Sequence, residues 1–277
     1  MRGIRSFVIV TLGLVALALS NHKGQLLKSE QAALPAGSLR CQEVAKIARW
    51  GLSHHSGNLP KKLQDPKTTE IALAIFADKL DPYKVLFTAS EVEDFKHGAQ
   101  KEWRSLIEGR SCGFFEAWLN QSLPQAQRRL EASLRSLSLK ASDKPGKLTP
   151  INRQKVWAPN ELGLHQRVAV LADQIVRGTP QPVIKAFRSD LHALVKNSFE
   201  ENLLASGLSS SSLLAKSILG TFDPYSTYLS SAEFEDFYSD LSGGASGIGI
   251  RVRKVPTGVF IEEVLQDSAA SQSGKIK

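Results

Sequence analysis

The 277-residue chain is 42% hydrophobic and has a net charge of +8, from 35 lysine and arginine and 27 aspartate and glutamate residues. This apolar content is sufficient for one or two globular domains with buried cores. The positive charges are dispersed over predicted helical faces without interleaved aromatic residues, which argues against nucleic acid as a partner. An ordinary solvated surface and a peripheral attraction to an anionic membrane both fit this charge.

Residues 1–18 have the pattern of a secretory signal peptide. Arg2 and Arg5 precede an uncharged apolar run, and Ala-Leu-Ala at residues 16–18 is a small-x-small cleavage site. The run from Phe7 to Leu19 is shorter than the roughly 20 residues that span a bilayer, so an uncleaved N-terminal anchor is the less favoured alternative. We therefore expect Sec-type export to the periplasm or cell envelope.

The sequence contains two cysteines, Cys41 and Cys112. In an oxidising compartment they could form a disulfide, and closing a loop of about 70 residues would stabilise the fold by roughly 4 kcal/mol in the chain-entropy model. Two free, buried thiols are equally consistent with the sequence.

Residues 19–139 and 161–241 are predicted to be helical. Apolar side chains recur at helical spacing in four segments: Val44–Leu52, Ile71–Phe76, Leu162–Val176 and Val183–Leu204. Pro124 is expected to break a further helical pattern, Phe114–Leu139, into two helices. Between the two regions, residues 140–160 form a predicted linker with four Pro or Gly residues and five basic residues against one acid.

A fifteen-residue repeat occurs on either side of this linker. Asp81–Phe95 aligns without gaps to Asp223–Phe237, with seven identities. Each copy is predicted to be a helix-turn-helix unit, because the proline after the first aspartate disfavours helix at that position. In the second helix of each copy a capping box is predicted, from Thr88 with Glu91 and from Ser230 with Glu233.

The carboxylates of the repeat could instead perform acid–base catalysis. The candidates are Asp81, Glu91, Glu93, Asp94, Asp223, Glu233, Glu235 and Asp236. Helix caps explain the first glutamate of each copy, and solvated helix faces explain the rest. A structural role is therefore the preferred interpretation.

The C-terminal residues 242–277 are predicted to contain a β-hairpin. Two strand-like runs, Ile248–Val255 and Val259–Leu265, flank a Pro-Thr-Gly turn. Residues 267–274 begin with a capping candidate and end at a glycine, which predicts a short helix. The predicted fold class is α+β, with a mainly α-helical N-terminal part followed by this small β part.

The second repeat and its continuation resemble the C-terminal processing peptidases, also called tail-specific proteases. The resemblance covers most of residues 41–277 and rests on Phe222–Leu229, Glu233–Phe237, Gly247–Gly249 and Ala270–Lys277. The long subgroup with a helical N-terminal domain is indicated by Leu80–Pro82, Phe87, Ser90, Trp157 and Gln166–Val168.

This resemblance implies a periplasmic serine endopeptidase that binds the C-terminal tails of unfolded or exported proteins through a PDZ domain and cleaves with a Ser–Lys dyad. Gly247, Ile248, Gly249 and Ile250 stand where the family's carboxylate-binding loop lies. A terminal carboxylate needs converging backbone N–H donors, which a glycine-bearing turn leading into a strand can supply. Without the resemblance, residues 243–249 would be interpreted as a flexible entry to a hairpin.

The sequence shows no catalytic dyad, metal site or cofactor motif. Ser246 lies outside a nucleophile-elbow pattern, and the histidines lack metal-ligand spacing. Ser212 and Lys216 lie one helical turn apart, but a capping serine and a solvated lysine explain them better. Because the family's catalytic domain follows the PDZ domain, we expect a chain truncated within the PDZ domain and inactive alone.

Three functional hypotheses follow. The first is the N-terminal region of a tail-specific protease whose catalytic domain is missing from this chain. The second is a non-catalytic, secreted helical or PDZ-like binding or adaptor protein. The third is a structural envelope protein whose C-terminal segment merely resembles a PDZ domain.

Overall fold

The computed structural model describes residues 8–10, 39–54, 63–140, 154–200, 209–223, 225–242, 247–255 and 258–275. The helices are α1 (Cys41–His54), α2 (Pro66–Leu80), α3 (Ala89–Ile107), α4 (Gly113–Ser136), α5 (Glu161–Gly178), α6 (Gln181–Ala186), α7 (Leu191–Ser198), α8 (Ser210–Leu219), α9 (Ser231–Ser242) and α10 (Ala269–Ser273). The strands are β1 (Val8–Val10), β2 (Thr227–Leu229), β3 (Ile250–Val255) and β4 (Gly258–Val264).

The predicted fold class is confirmed, since a mainly helical part precedes a small antiparallel sheet. Strands β3 and β4 pair from Ile250 opposite Val264 to Val255 opposite Gly258, with an irregularity between Arg251 and Val252. The short helix α10 follows the hairpin, as the sequence predicts.

One buried apolar cluster joins the helices that precede and follow the predicted linker. In its centre, Phe76 of α2 stacks on Phe95 of α3 with ring centroids 5.1 Å apart, and Phe115 of α4 packs beside them. The same cluster contains Leu171 of α5 and Leu213 of α8. An amphipathic helix buries its apolar stripe only against another element, so these helices share a core.

Helix α4 passes through Pro124 without a break, so the prediction of two helices is wrong. A proline inside a helix costs about 3 kcal/mol, because it removes one hydrogen bond and crowds the preceding turn. Buried side chains on both sides of Pro124 hold the helix in the core: Phe115, Leu119, Ala126, Leu130 and Leu134. Their burial offsets the local cost.

The helical segment predicted over Val183–Leu204 is interrupted in the structure. Helix α6 ends at Ala186 and α7 begins at Leu191. Asp190 caps α7, because its Oδ1 accepts the N–H of Ala193 at 2.9 Å. The last predicted residues of the segment, 201–204, lie outside the described residues.

The C-terminal end of the linker is packed against the first repeat. Ala158 is fully buried, and its carbonyl oxygen accepts the N–H of Ala89 at 2.8 Å. This contact places the residues before α5 beside the start of α3. The linker residues 141–153 lie outside the described part of the chain.

Strand β1 lies inside the predicted signal peptide and pairs antiparallel with β2, with Ile9 opposite Tyr228. Tyr228 also packs against Ile47, Ala215 and Leu219, so β2 has a second set of contacts. Among the helices in the described ranges, none combines the length and apolar character required to cross a bilayer.

Candidate functional site

The predicted carboxylate-binding residues lie together at the entrance to β3. Gly247 and Ile248 are exposed, Gly249 adopts a left-handed φ of +77°, and Ile250 is the first residue of the strand. The structure therefore places a glycine-bearing loop directly before a strand, as the sequence predicts.

Two hydrogen bonds fix this loop to the elements that follow it. The carbonyl oxygen of Gly249 accepts the N–H of Leu265, and that of Ile248 accepts the N–H of Ala270, each at 2.8 Å. Within the part of the chain that the structure describes, no acceptor is hydrogen-bonded to the N–H groups of Ile248 and Gly249. The carbonyls of the loop thus hold it against Leu265 and Ala270.

Ser268, the N-cap of α10, requires a glycine at position 249. A Cβ built on Gly249 would lie 2.0 Å from the Cβ of Ser268, and the left-handed φ adds strain for any other residue. Ser268 also donates its hydroxyl to the carbonyl of Leu265 at 2.7 Å. The close approach of the two residues therefore sets the shape of the loop.

In the first repeat, Asp81 organises the turn between α2 and α3. It is fully buried, and its carboxylate accepts the N–H groups of Val85, Leu86 and Phe87 at 2.9, 2.8 and 3.2 Å. Burial raises the pKa of Asp81, against the opposing effect of these donors and of Lys84. From the sequence we predicted only that a helix ends at Asp81. The three hydrogen bonds to its carboxylate were not predicted.

Lys84 fills the space beside this turn. It has a φ of +54°, and its buried ammonium lies 2.6 Å from Asp78 and 4.6 Å from the centre of the Trp157 ring. The carbonyl of Lys84 accepts a hydrogen bond from Arg167 Nη1 at 3.3 Å. Lys84 thereby connects the turn to Trp157 at the end of the linker and to Arg167 of α5.

The capping box predicted for the first repeat is confirmed. Thr88 donates its N–H to Glu91 Oε2 at 2.8 Å, and Glu91 donates its N–H to the Thr88 hydroxyl at 3.3 Å. Glu91 also forms a bidentate pair with Arg129 of α4, with N···O distances of 2.9 and 2.8 Å. Arg129 further donates to the Leu86 carbonyl at 2.6 Å, so one guanidinium joins α4 to the repeat.

This ion pair determines the acidity of the capping glutamate. Burial acts to raise the pKa of Glu91, but the hydrogen bonds from Arg129 and Thr88 outweigh it, so the pKa lies below its usual value. A carboxylate held in this way is suited to a structural contact and unsuited to proton transfer near neutral pH. The exposed Glu93 and Asp94 agree with the predicted solvated face.

The second repeat is built on the same plan. Asp223 Oδ1 accepts the N–H groups of Tyr225 and Ser226 at 2.7 and 2.8 Å. Ser230 and Glu233 form the predicted capping box, with bonds of 2.8 and 3.3 Å. Pro224 and the side chain of Asp236 lie outside the described part.

In this copy Lys216 of α8 takes the place that Arg129 has in the first. Its ammonium pairs with Glu233 and is only 11% exposed, so the interpretation of Lys216 as a solvated lysine is wrong. Burial acts to raise the pKa of Glu233, but Lys216 and Ser230 outweigh it and hold the pKa below its usual value. Ser209 caps α8 by accepting the N–H of Ser212, so Ser212 is not the cap.

No hydrogen bond between Ser212 and Lys216 is present in the described structure, and Lys216 is engaged by Glu233. The two residues therefore do not form a nucleophile and base. No group of three or more histidine, cysteine, aspartate or glutamate side chains is arranged to bind a metal ion within the described ranges.

Cys112 is buried at the start of α4 and takes part in a disulfide. Cys41 is the other cysteine of the sequence and the first residue of α1. Because the Cys41 side chain lies outside the described part of the structure, the pairing of Cys41 with Cys112 stays a prediction.

Three cations that support the repeats were not identified from the sequence. Arg129, Arg167 and Lys216 lie 38, 83 and 17 residues from their partners Glu91, Lys84 and Glu233. Partners so far apart in the sequence produce no local pattern from which their contact could be predicted. The alignment of the repeats contains one signal, because the equivalent, partly buried glutamates Glu91 and Glu233 are each expected to pair with a cation.

Comparison with known proteins assigns the helical part of the chain to a protein family. A family model described as the tail specific protease N-terminal domain matches residues 56–232, more than half of the sequence. This match includes the whole first repeat, the linker and the first ten residues of the second repeat. A search of curated proteins finds no match.

Proposed function

This chain belongs to the tail-specific protease family, and from that premise we propose that it provides the substrate-recognition region of a serine endopeptidase. In this proposal the loop 247–250 binds the terminal carboxylate of a polypeptide. The residues that cleave the peptide bond are not assigned to any side chain of the described structure.

The observation that supports this proposal is the geometry of the loop. The N–H groups of Ile248 and Gly249 have no acceptor among the described residues, and an anion needs several such donors. Strand β3 pairs with β4 along one edge, and among the described residues nothing pairs with its other edge. A peptide whose carboxylate lies in the loop could therefore extend the sheet along β3.

We expect the full chain to bind a peptide with a free C-terminus more tightly than the same peptide with an amidated C-terminus. Amidation removes the negative charge that the loop donors would bind, so affinity should fall by about tenfold or more. Fluorescence anisotropy with an N-terminally labelled apolar peptide measures the difference. Equal affinities for the two peptides would refute carboxylate recognition by this chain.

We further propose that the protein acts in the periplasm after export. The support is the signal-peptide pattern of residues 1–18. Cleavage after Ala18 would remove β1, but Tyr228 of β2 would keep its contacts with Ile47, Ala215 and Leu219. The folded helical part is therefore compatible with loss of this segment.

The expected mature protein begins at Leu19. Mass spectrometry of the protein from a periplasmic fraction should show a chain without residues 1–18. Recovery of the full-length chain from the membrane fraction would instead indicate the uncleaved anchor, and recovery from the cytoplasm would rule out export.

A further inference from the structure

A surface groove runs along α5. It has a volume of about 630 Å³. We call it the α5 groove, and its main lining residues are Gln154, Leu162, Gln166, Arg167, Val170 and Gln174. The groove lies within the helical domain, at residues distinct from the loop 247–250.

The exposed face of α5 alternates apolar and amide side chains at one-turn intervals. Leu162 and Val170 are 64% and 57% exposed, whereas other apolar residues of α5 are buried in the core. Gln166 and Gln174 follow them at intervals of four residues, and four-residue spacing places side chains on one face. The face therefore offers apolar contacts about 12 Å apart, from the 1.5 Å rise per residue, with amides between them.

The glutamine side chains of the groove are available to a ligand. Among the described residues, none is hydrogen-bonded to the side chains of Gln154, Gln166 or Gln174. A carboxamide has both donors and an acceptor, so it can match the N–H and C=O of a peptide group. An extended polypeptide presents such groups along its whole length.

Arg167 gives the groove a positive charge. One of its nitrogen atoms is fixed on the Lys84 carbonyl, and no carboxylate forms an ion pair with it in the described part of the chain. Burial lowers the pKa of Arg167, against the opposing effect of Asp81, whose oxygens are engaged by backbone N–H groups.

The other carboxylates of α5 are already paired. Glu161 lies 3.3 Å from Arg129, and Asp173 lies 2.8 Å from Arg177. Lys155, next to Gln154 in the sequence, is exposed, and no carboxylate of the described residues forms an ion pair with it. This side of the molecule is therefore electrostatically complementary to an anionic ligand.

We propose that the α5 groove binds an extended, acidic segment of a polypeptide. Peptide groups of the segment contact the glutamines, its apolar side chains contact Leu162 and Val170, and a side-chain carboxylate pairs with Arg167. This site is separate from recognition of the terminal carboxylate, because it requires internal acidic side chains and no free C-terminus. A polypeptide could occupy both sites.

The probe for this site is a labelled peptide of alternating glutamate and leucine with an amidated C-terminus. We expect the full chain to bind it, with affinity that falls as ionic strength rises, and to bind the peptide with glutamine in place of glutamate about tenfold less tightly. Val170→Asp and Arg167→Gln should each weaken binding about tenfold or more. Arg167→Gln removes the hydrogen bond to the Lys84 carbonyl and could disturb the turn between α2 and α3. Val170 is exposed, so Val170→Asp tests the groove with the fold intact.

Arg49→Gln is the control, because it removes an exposed arginine of α1 that lies outside the groove and forms no ion pair with the described residues, so it should leave affinity unchanged. Equal effects of Arg49→Gln and Arg167→Gln, or unaltered binding by Val170→Asp, would overturn the proposal. Displacement of the probe by an unlabelled single-stranded oligonucleotide of equal charge would also overturn it, since the groove would then be a general anion surface. The chain could bind the amidated acidic probe and yet bind the free and amidated apolar peptides equally. That result would support the α5 groove and refute carboxylate binding by the loop 247–250.

Discussion

Replacing Asp81 by alanine should lower the free energy of unfolding by about 4 kcal/mol, because three buried N–H groups would lose their acceptor. The donors are those of Val85, Leu86 and Phe87, and Asp81 itself is 0% exposed, so water does not easily replace the carboxylate. Asp81→Asn keeps one oxygen acceptor and should cost less, about 2 kcal/mol. Urea unfolding monitored by circular dichroism measures both changes.

The second repeat provides the matched comparison for this experiment. Asp223 accepts the N–H groups of Tyr225 and Ser226 in an equivalent turn, but it is only half-buried. Because water can reach the Asp223 carboxylate and the exposed Tyr225, Asp223→Ala should cost about 1 kcal/mol. Similar losses for Asp81→Ala and Asp223→Ala would show that burial of the first turn does not determine its contribution to stability.

Gly249→Ala should abolish binding of peptides with a free C-terminus while leaving the helical part folded. A methyl group at this position would lie 2.0 Å from the Cβ of Ser268, and a left-handed φ costs a residue with a side chain about 1–2 kcal/mol. To relieve the overlap, Ser268 must move, which breaks the hydrogen bonds that hold the loop to Leu265 and Ala270. The N–H groups of Ile248 and Gly249 would then change position.

Gly247→Ala is the control for this variant. A Cβ at Gly247 would have as its nearest neighbour the N atom of Gly249 at 4.0 Å, so affinity should change by less than about twofold. Anisotropy with the free-carboxylate peptide measures affinity, and the helical circular dichroism signal checks the fold. If Gly249→Ala binds as tightly as the unaltered chain, the shape of this loop does not determine recognition.

Local structure was predictable wherever it depends on residues close in sequence. Thr88 with Glu91 and Ser230 with Glu233 form the predicted capping boxes, because both partners of a cap lie within one helical turn. The hairpin of β3 and β4 was predictable because alternation of side chains and a turn are local as well. Pro124 shows the limit of such arguments, since the packing of α4 outweighs a local helix breaker.

The sequence alone determined the family, the duplicated turn, the helix caps, and the loop of Gly247–Ile250 before a strand. The tertiary structure decided which charges meet: Arg129 with Glu91, Lys216 with Glu233, and Arg167 with the Lys84 carbonyl. It also decided that Leu162 and Val170 of α5 are exposed and line one groove with Arg167. The physical reason is that caps and turns are short-range, whereas the partners of a buried charge are set by how distant helices pack around a common core.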